Sequence, residues 1–314
     1  MRSPDHLKIK ESCLEAIDKI MAKSNLGFAE KVVFDDQGRV NVTAFVNDDL
    51  VVRFNARDNH LPKFQREQIA FNSLKDVVPV PELLTFDDSK IIIPYDYMIC
   101  KKMPGKNLEQ NWASLSEEDG NLLAYQAGQM LGKIHSVNME NFGEISMLGP
   151  FLQTKKWTDY LRHILNYYLG EAMDLNLFTL DVKGKFLDFF ESKVGLLDTI
   201  RAPKLIHGDF HLGNLLFAGQ TITGVLDFEW SCAGDPLFDI CNNLRDMDSR
   251  WPGSQEAFNK GYGIQDFSEE EIAKMKVYTM IKSIEFCVVA KKFFPESECK
   301  EFVQTTQNNY ASLQ

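Results

Sequence analysis

Asp209, Asn214 and Asp227 are the residues of this chain whose types and spacing could do chemistry. They stand in HGDFHLGN at 207–214 and in LDFEWSCAGDPLFD at 226–239. The first carboxylate precedes the amide by five positions, and the second follows a predicted strand. Residues 214–218 and 221–226 read as two strands joined by a tight turn at Gly219-Gln220, so they should pair antiparallel. The first residue of one strand then lies beside the last of the other, which brings Asn214 and Asp227 together across thirteen positions. A carboxylate oxygen beside an amide oxygen suits Mg²⁺, a hard cation that completes its shell with waters and substrate phosphates. Asp209, upstream and held by the same loop, is left to accept a proton from an attacking hydroxyl. Phosphoryl transfer from a nucleotide requires those groups. The same residue types would also serve an Asx-rich turn that satisfies only its own backbone.

A scaffold for them is legible on either side. A helix is predicted over about 4–24, with Ser3 as N-cap, Pro4 at its first position and Gly27 past its end. Cys13, Leu14, Ile17, Ile20 and Met21 form its buried stripe. Three β-rich runs, 32–34, 40–46 and 50–54, follow as a meander. Arg53 interrupts the apolar strand LVVRF, and Glu67 shares a helix face with Phe64, Phe71 and Leu74. Two charges on two buried faces are most economically satisfied by each other. The alternative pairs Glu67 with Lys63 on a solvated face and leaves Arg53 on an edge strand. The runs 77–81, 91–94 and 97–105 complete the small lobe, and Pro104-Gly105 is a natural turn at its boundary. Beyond it the chain is helical. Stripes around Leu122–Ile134, Trp157–Tyr168 and Phe186–Leu197 are core, and Ser268 with Glu271 is a capping box that opens a long helix through about 293.

His207, Asp209 and Asn214 resemble the catalytic loop of the protein-kinase superfamily, in which an aspartate and an asparagine stand five apart. The HGD spelling and the later D-F-E and G-D-P-L-F-D resemble the aminoglycoside phosphotransferase and choline-kinase branch. The resemblance runs from about residue 28 to about 245, with weaker signal beyond. It implies an α+β, bilobal protein-kinase-like fold: a small β-rich nucleotide-binding lobe over 1–103 and a larger, mainly helical catalytic and substrate-binding lobe over 104–314. It implies Asp209 as base, Asn214 and Asp227 as metal ligands, and Asp235 and Asp239 as braces of the loop or the following helix. Arg53 and Glu67 resemble the cation and glutamate that position the nucleotide phosphates, with Arg where the superfamily usually has Lys. Cys100 and Lys102 would offer backbone groups to the purine, with Met98 at the rear, although a plain edge strand reads the same. Gly38, in DQGRVN, falls where a phosphate-covering loop belongs, and an ordinary hairpin turn reads equally well there. His135 in LGKIHSV matches a family position and reads as a structural histidine.

The implied activity is a small-molecule kinase that moves the γ-phosphate of ATP or GTP, with Mg²⁺, to a hydroxyl. The acceptor could be an aminoglycoside, choline or ethanolamine, a macrolide, homoserine or a sugar. A nucleotide-binding regulatory protein without turnover is the rival reading. The net charge of −11 argues against a nucleic-acid surface and favours a cationic substrate. Asp159, Glu171, Asp174, Asp246 and Asp248 are acidic candidates for its contact, although helix faces carry such residues ordinarily. No apolar run of eighteen residues and no secretory leader is present, so a soluble cytoplasmic protein without membrane partner, monomer or homodimer, is expected. The six cysteines form no C-x-x-C pair and read as reduced thiols. Zinc at His207, His211 and Cys232 lacks ligand spacing, and no G-x-S-x-G elbow supports a hydrolase.

Overall fold

The computed structural model describes residues 4–310 apart from 36–40, 57–59, 148, 245 and 246. Gly38 therefore lies outside the described residues. The chain opens with α1 (Pro4–Lys23) and runs through β1 (Val32–Phe34), β2 (Val42–Val46), β3 (Leu50–Phe54), α2 (Lys63–Leu74), β4 (Leu83–Asp87) and β5 (Tyr97–Lys101). A short β6 (Lys106–Asn107) and α3 (Leu108–Asn111) lead to α4 (Glu117–Ile134), β7 (Phe142–Glu144), β8 (Gln153–Thr154), α5 (Trp157–Asp174) and α6 (Leu180–Leu197). Then come β9 (Lys204–Ile206), β10 (Leu215–Ala218), β11 (Thr221–Val225) and β12 (Cys232–Gly234). The chain finishes with α7 (Leu237–Leu244), α8 (Met247–Arg250), α9 (Ser254–Tyr262), α10 (Glu269–Phe293) and α11 (Glu296–Tyr310). This is the bilobal kinase-like architecture, β-rich first and mainly helical after.

The first five strands form one antiparallel sheet in the order β1-β2-β3-β5-β4. Period-two alternation divides its faces. Val42, Ala44, Val46, Leu50, Val52 and Phe54 point to one side, where Cys13, Ile17, Ile20 and Met21 of α1 cover them. Thr43, Phe45, Val51 and Arg53 point to the other side, into a cleft. Leu14 departs from the expected stripe and is 51% exposed, because the face that meets the sheet is carried by Cys13, Ala16, Ile17 and Ile20. The expected run at 91–94 is also corrected: it is no strand, and Ile91 is 80% exposed. Leu83–Asp87 takes the edge position instead, because it pairs antiparallel with β5 across the loop 88–96, in which Lys90 adopts a left-handed φ of 56°. Consequently β3 and β5 are interior strands.

In the helical part, Trp157, Leu161 and Leu165 of α5 pack with Phe186 and Phe190 of α6 and with Tyr278, Ile281 and Ile284 of α10. The capping box is present: the Ser268 hydroxyl accepts from the Glu271 amide, and the Glu271 carboxylate accepts from the Ser268 amide. A second core joins the two parts, running from Phe64, Phe71 and Leu74 of α2 to Leu123, Ala127 and Leu131 of α4 and to Phe210 and Phe228 on either side of the β10–β11 hairpin. Fully burying one such side chain stabilises the fold by roughly 1.5–3 kcal/mol. The sheet is therefore docked on the helices through α2, which fixes the cleft between them.

Candidate active site

The hairpin forms as its sequence dictates, with Leu215 opposite Val225 and a register shift between Leu216 and Phe217. Leu226 N–H donates to the Asn214 carbonyl at 2.8 Å, so Asn214 and Asp227 flank one backbone bridge. Asp227 adopts a left-handed φ of 67°, an unusual backbone state for a residue with a side chain. Asp209, Asn214 and Asp227 all line one cleft of about 1070 Å³. The Asp209 side chain is 49% exposed there.

The loop that carries Asp209 is held from beneath. The Asp239 carboxylate accepts from the His207 amide at 2.6 Å, from the Gly208 amide at 2.7 Å and bonds His135 Nε2 at 3.0 Å. His135 Nδ1 meets the Tyr262 hydroxyl at 2.9 Å, so this histidine is structural. His207 Nε2 donates to the Leu226 carbonyl at 2.9 Å, while its Nδ1 accepts from the Asp209 amide at 3.3 Å. Gly208 has a φ of +83°, and a Cβ there would stand 2.1 Å from the Trp230 carbonyl oxygen. Only glycine allows that approach. Asp235 accepts from the Tyr278 hydroxyl at 2.7 Å and from the Leu237 amide at 3.1 Å, bracing the start of α7.

Two of these groups make the loop acid-sensitive. Burial holds the His207 imidazole below its usual range despite nearby Asp239 and Asp209. Burial disfavours the Asp239 charge, yet His135 and His207 hold its carboxyl below the usual carboxylate range. Both folded values are lowered, so stability is complete above the unfolded values, about 6.5 for His and 3.9 for Asp, and is lost on acidification. Urea midpoints should therefore decline from pH 7 towards pH 4 and below, with a shallower decline under pH 5 in Asp239→Asn. A flat wild-type profile would contradict this linkage.

Across the cleft, Arg53 Nη1 donates to both oxygens of Glu67 at 2.6 Å, and its Nη2 donates to Asp227 Oδ1 at 3.0 Å. The pairing expected from the two charged faces thus exists, and Asp227 joins it. Burial pushes the Glu67 carboxyl up to about 7 in spite of Arg53, with Asp227 and Glu229 adding to the rise. Burial opposes the charge on Arg53, but Glu67, Asp227 and Glu229 together raise its value above the ordinary one. Lys63 is not on a solvated face: it is buried, with Nζ 3.3 Å from Glu229 Oε1 and 5.0 Å from the Trp230 ring centre. Asn41 also donates to Glu229.

One clamp went unread in the sequence. Arg66 Nε donates to both oxygens of Glu144 on β7 at 3.0 Å, its Nη2 donates to Oε2 at 2.6 Å, and its Nη1 donates to the Glu229 carbonyl at 3.1 Å. Its spacing from Lys63 and Ala70 places it in the buried stripe of α2, which was the available signal.

The other end of the cleft is apolar. Phe45 and Val51 line it from the sheet, Leu216 and Leu226 from the hairpin, with Cys100, Lys102 and Met103 beside them. The period-two alternation of β2 and β3 could have identified the first two. Met98 does not reach the cleft; it is fully buried behind it, opposite Arg53 in the sheet register. The Lys102 amide is already spent on the Asp49 carbonyl at 2.7 Å. Of the acidic candidates, Asp159 is exposed near Arg162, Glu171 pairs with Lys292 and Asp174 is exposed, so none lines the cleft. Asp246 lies outside the described residues, and of Asp248 only its place in α8 is described.

The donor set fits Mg²⁺ and not a protein-only metal cage. Asn214 Nδ2 donates to the Asp209 carbonyl at 2.9 Å, which leaves its Oδ1 for a cation, and Asp227 Oδ2 stands beside an Oδ1 already bonded to Arg53. Two oxygens suffice where phosphates and water supply the rest. Among the described residues no three His, Cys, Asp or Glu side chains converge as a metal cage. His207 has both ring nitrogens engaged, Nε2 on the Leu226 carbonyl and Nδ1 on the Asp209 amide, and so has none to offer zinc, while His211 Nδ1 accepts from the Gly213 amide. All six cysteines are buried thiols.

Among solved structures, the gentamicin complex of APH(2")-IIa is similar with a TM-score of 0.68 at 20% identity, covering 95% of this chain and 96% of that one. ADP-bound APH(2")-Ib gives 0.66 at 18% identity over 95% and 97%. A thermostable APH(4)-Ia variant, in ternary complex with ADP and hygromycin B, gives 0.67 at 14% identity over 95% and 99%. These likenesses show the fold. In sequence, the chain is 25% identical over 245 residues to acyl-CoA dehydrogenase family member 10 of Mus musculus, covering 74% of this chain and 22% of that protein. It thus spans about a fifth of the length of that relative. No described helix is long and apolar enough to cross a membrane. Residues 31–277 match the model of the phosphotransferase enzyme family, further than the region over which the motifs alone were legible, and the chain belongs to that family.

Proposed function

We propose that this phosphotransferase moves the γ-phosphate of ATP or GTP to a hydroxyl of a small molecule in the cytoplasm. The observation that carries the reading is the arrangement of Asp209, Asn214 and Asp227 along one cleft, opposite an Arg53 braced by Glu67. Solved neighbours in complex with ATP and streptomycin, or with GDP and kanamycin, support a nucleotide donor and a small acceptor. In this reading the purine slides between Phe45 and Val51 above and Leu216 and Leu226 below, and the nucleotide-binding lobe ends near residue 103. Asn214 Oδ1 and Asp227 would hold Mg²⁺, which neutralises phosphate charge as it shifts to the leaving group. Arg53 supplies a fixed cation to the phosphates, and its planar fork is kept in orientation by Glu67. Asp209 orients the acceptor hydroxyl and takes its proton. Positioning and charge neutralisation carry such a reaction, because its transition state makes little covalent demand on the protein.

Calorimetry with ATP and GTP, with and without Mg²⁺, tests the metal assignment. Asp227→Ala should lose the Mg²⁺-dependent part of the affinity, at least about tenfold, since a charge-assisted contact is worth roughly 1.5–3 kcal/mol. Unchanged Mg·ATP and Mg·GTP affinity in that variant would overturn the assignment.

A further inference from the structure

Past Asp209 the cleft continues beneath α10 and α11, and its wall changes character. Phe286, Val289 and Phe293 of α10 and Phe302 of α11 line it, each half-buried. Their spacing on α10 puts the first three on one face. Phe286 and Phe302 meet edge to face with ring centres 4.7 Å apart. Scattered apolar residues on a surface need no explanation, but four lining the same cleft as Asp209, two of them in ring contact, give it an apolar wall.

The charges along this wall are balanced. Among the described residues, the charged side chains that α10 and α11 contribute to the cleft are Lys282 and Glu285, which pair at 3.0 Å. Lys282 also lies within electrostatic reach of Asp209 and 5.7 Å from the Trp230 ring centre. The net charge of −11 is therefore not focused here. Beyond Asp209 itself, a multiply charged ammonium compound lying along this wall would meet one carboxylate already paired, one lysine of its own sign, and aromatic rings. Desolvating several charges without partners is costly.

We propose that this wall is the subsite for an apolar arm of the acceptor, and that the acceptor is a hydroxylated small molecule with an alkyl or aromatic arm and not a polycation. The inference rests on the phosphotransfer reading. The hydroxyl meets Asp209 and gives it its proton, the acceptor oxygen bonds to the γ-phosphorus, the bond from that phosphorus to the β,γ-bridging oxygen breaks, and the nucleoside diphosphate leaves. The arm lies along Phe286, Val289, Phe293 and Phe302, which removes apolar surface from water on both sides.

Binding of α,ω-alkanediols from butane to octane, followed by tryptophan fluorescence with Mg·AMP-PNP bound, tests it, with kanamycin as the polycationic comparison. Affinity should rise about fourfold for each added methylene. Phe286→Asp should flatten that series with Mg·AMP-PNP affinity unchanged, and Phe302→Ser should do the same should the first variant fold poorly. A flat wild-type series, or kanamycin binding tighter than octanediol, would overturn the subsite while leaving the phosphotransfer reading intact. Failure of the wild type to bind Mg·AMP-PNP would overturn both.

Discussion

Asp209→Ala should lower turnover by about 10²- to 10⁴-fold, the range for losing a positioned general base. The geometry predicts that little else changes. The Asp209 side chain is half exposed in the cleft, while the loop's shape is set by the His207 and Gly208 amides on Asp239 and by the His207 ring on the Leu226 carbonyl. Arg53, Glu67 and Asp227, proposed to meet the phosphates and the metal, keep their own network. Nucleotide affinity should therefore stay close to that of the wild type. Asp209→Asn should be similarly slow, because an amide keeps the shape but cannot take the proton. Release of ADP or GDP is the measurement, with aminoglycosides, choline, homoserine, sugars and alkanediols as acceptors. An equal loss of nucleotide affinity in Asp209→Ala would remove the base assignment and point to a structural role.

Arg66→Met should destabilise the fold by about 3–5 kcal/mol, the cost of leaving a buried partner charge uncompensated. Arg66 and Glu144 are both buried, and removal of the guanidinium leaves the Glu144 carboxylate, which also accepts from the Ser146 amide at 3.0 Å, without its counter-charge. The double variant Arg66→Met/Glu144→Met should recover most of that loss, since an apolar pair of similar volume carries no desolvation cost. Urea unfolding of the four proteins measures the cycle. A loss below about 1 kcal/mol would mean that the pair behaves as a solvated one. The clamp also bears on the site: Arg66 and Glu67 are adjacent in α2, one tied to β7 and the other to Arg53. Slack in the first contact should reach the second, so Arg66→Met should also weaken Mg·ATP binding.

How far the sequence could be read depended on whether a contact was made within one element or between several. The hairpin was legible because its turn residues and apolar runs lie together, and closing it places Asn214 beside Asp227 whatever the rest of the chain does. The Arg53–Glu67 pair was legible because each charge interrupts an apolar face of known period, and a buried charge requires a partner. By contrast Lys63 and Arg66 obey the same helical spacing as Glu67, and the sequence offered several carboxylates for each. Only docking assigned Lys63 to Glu229 and Arg66 to Glu144. The strand at 83–87 was missed, and Ile91 to Pro94 taken in its place, because short apolar runs carry no marker of which one finds a pairing partner.

The sequence by itself determined the family, the α+β architecture and the trio Asp209, Asn214 and Asp227, since spacing along a loop and a hairpin is a local property. The tertiary structure alone decided what surrounds them: the clamp on α2, the bracing of the loop by Asp239, and the aromatic wall that α10 and α11 bring beside Asp209. Net charge is a sum over the whole chain, whereas a cleft's field and apolarity belong to the few side chains that folding turns towards it.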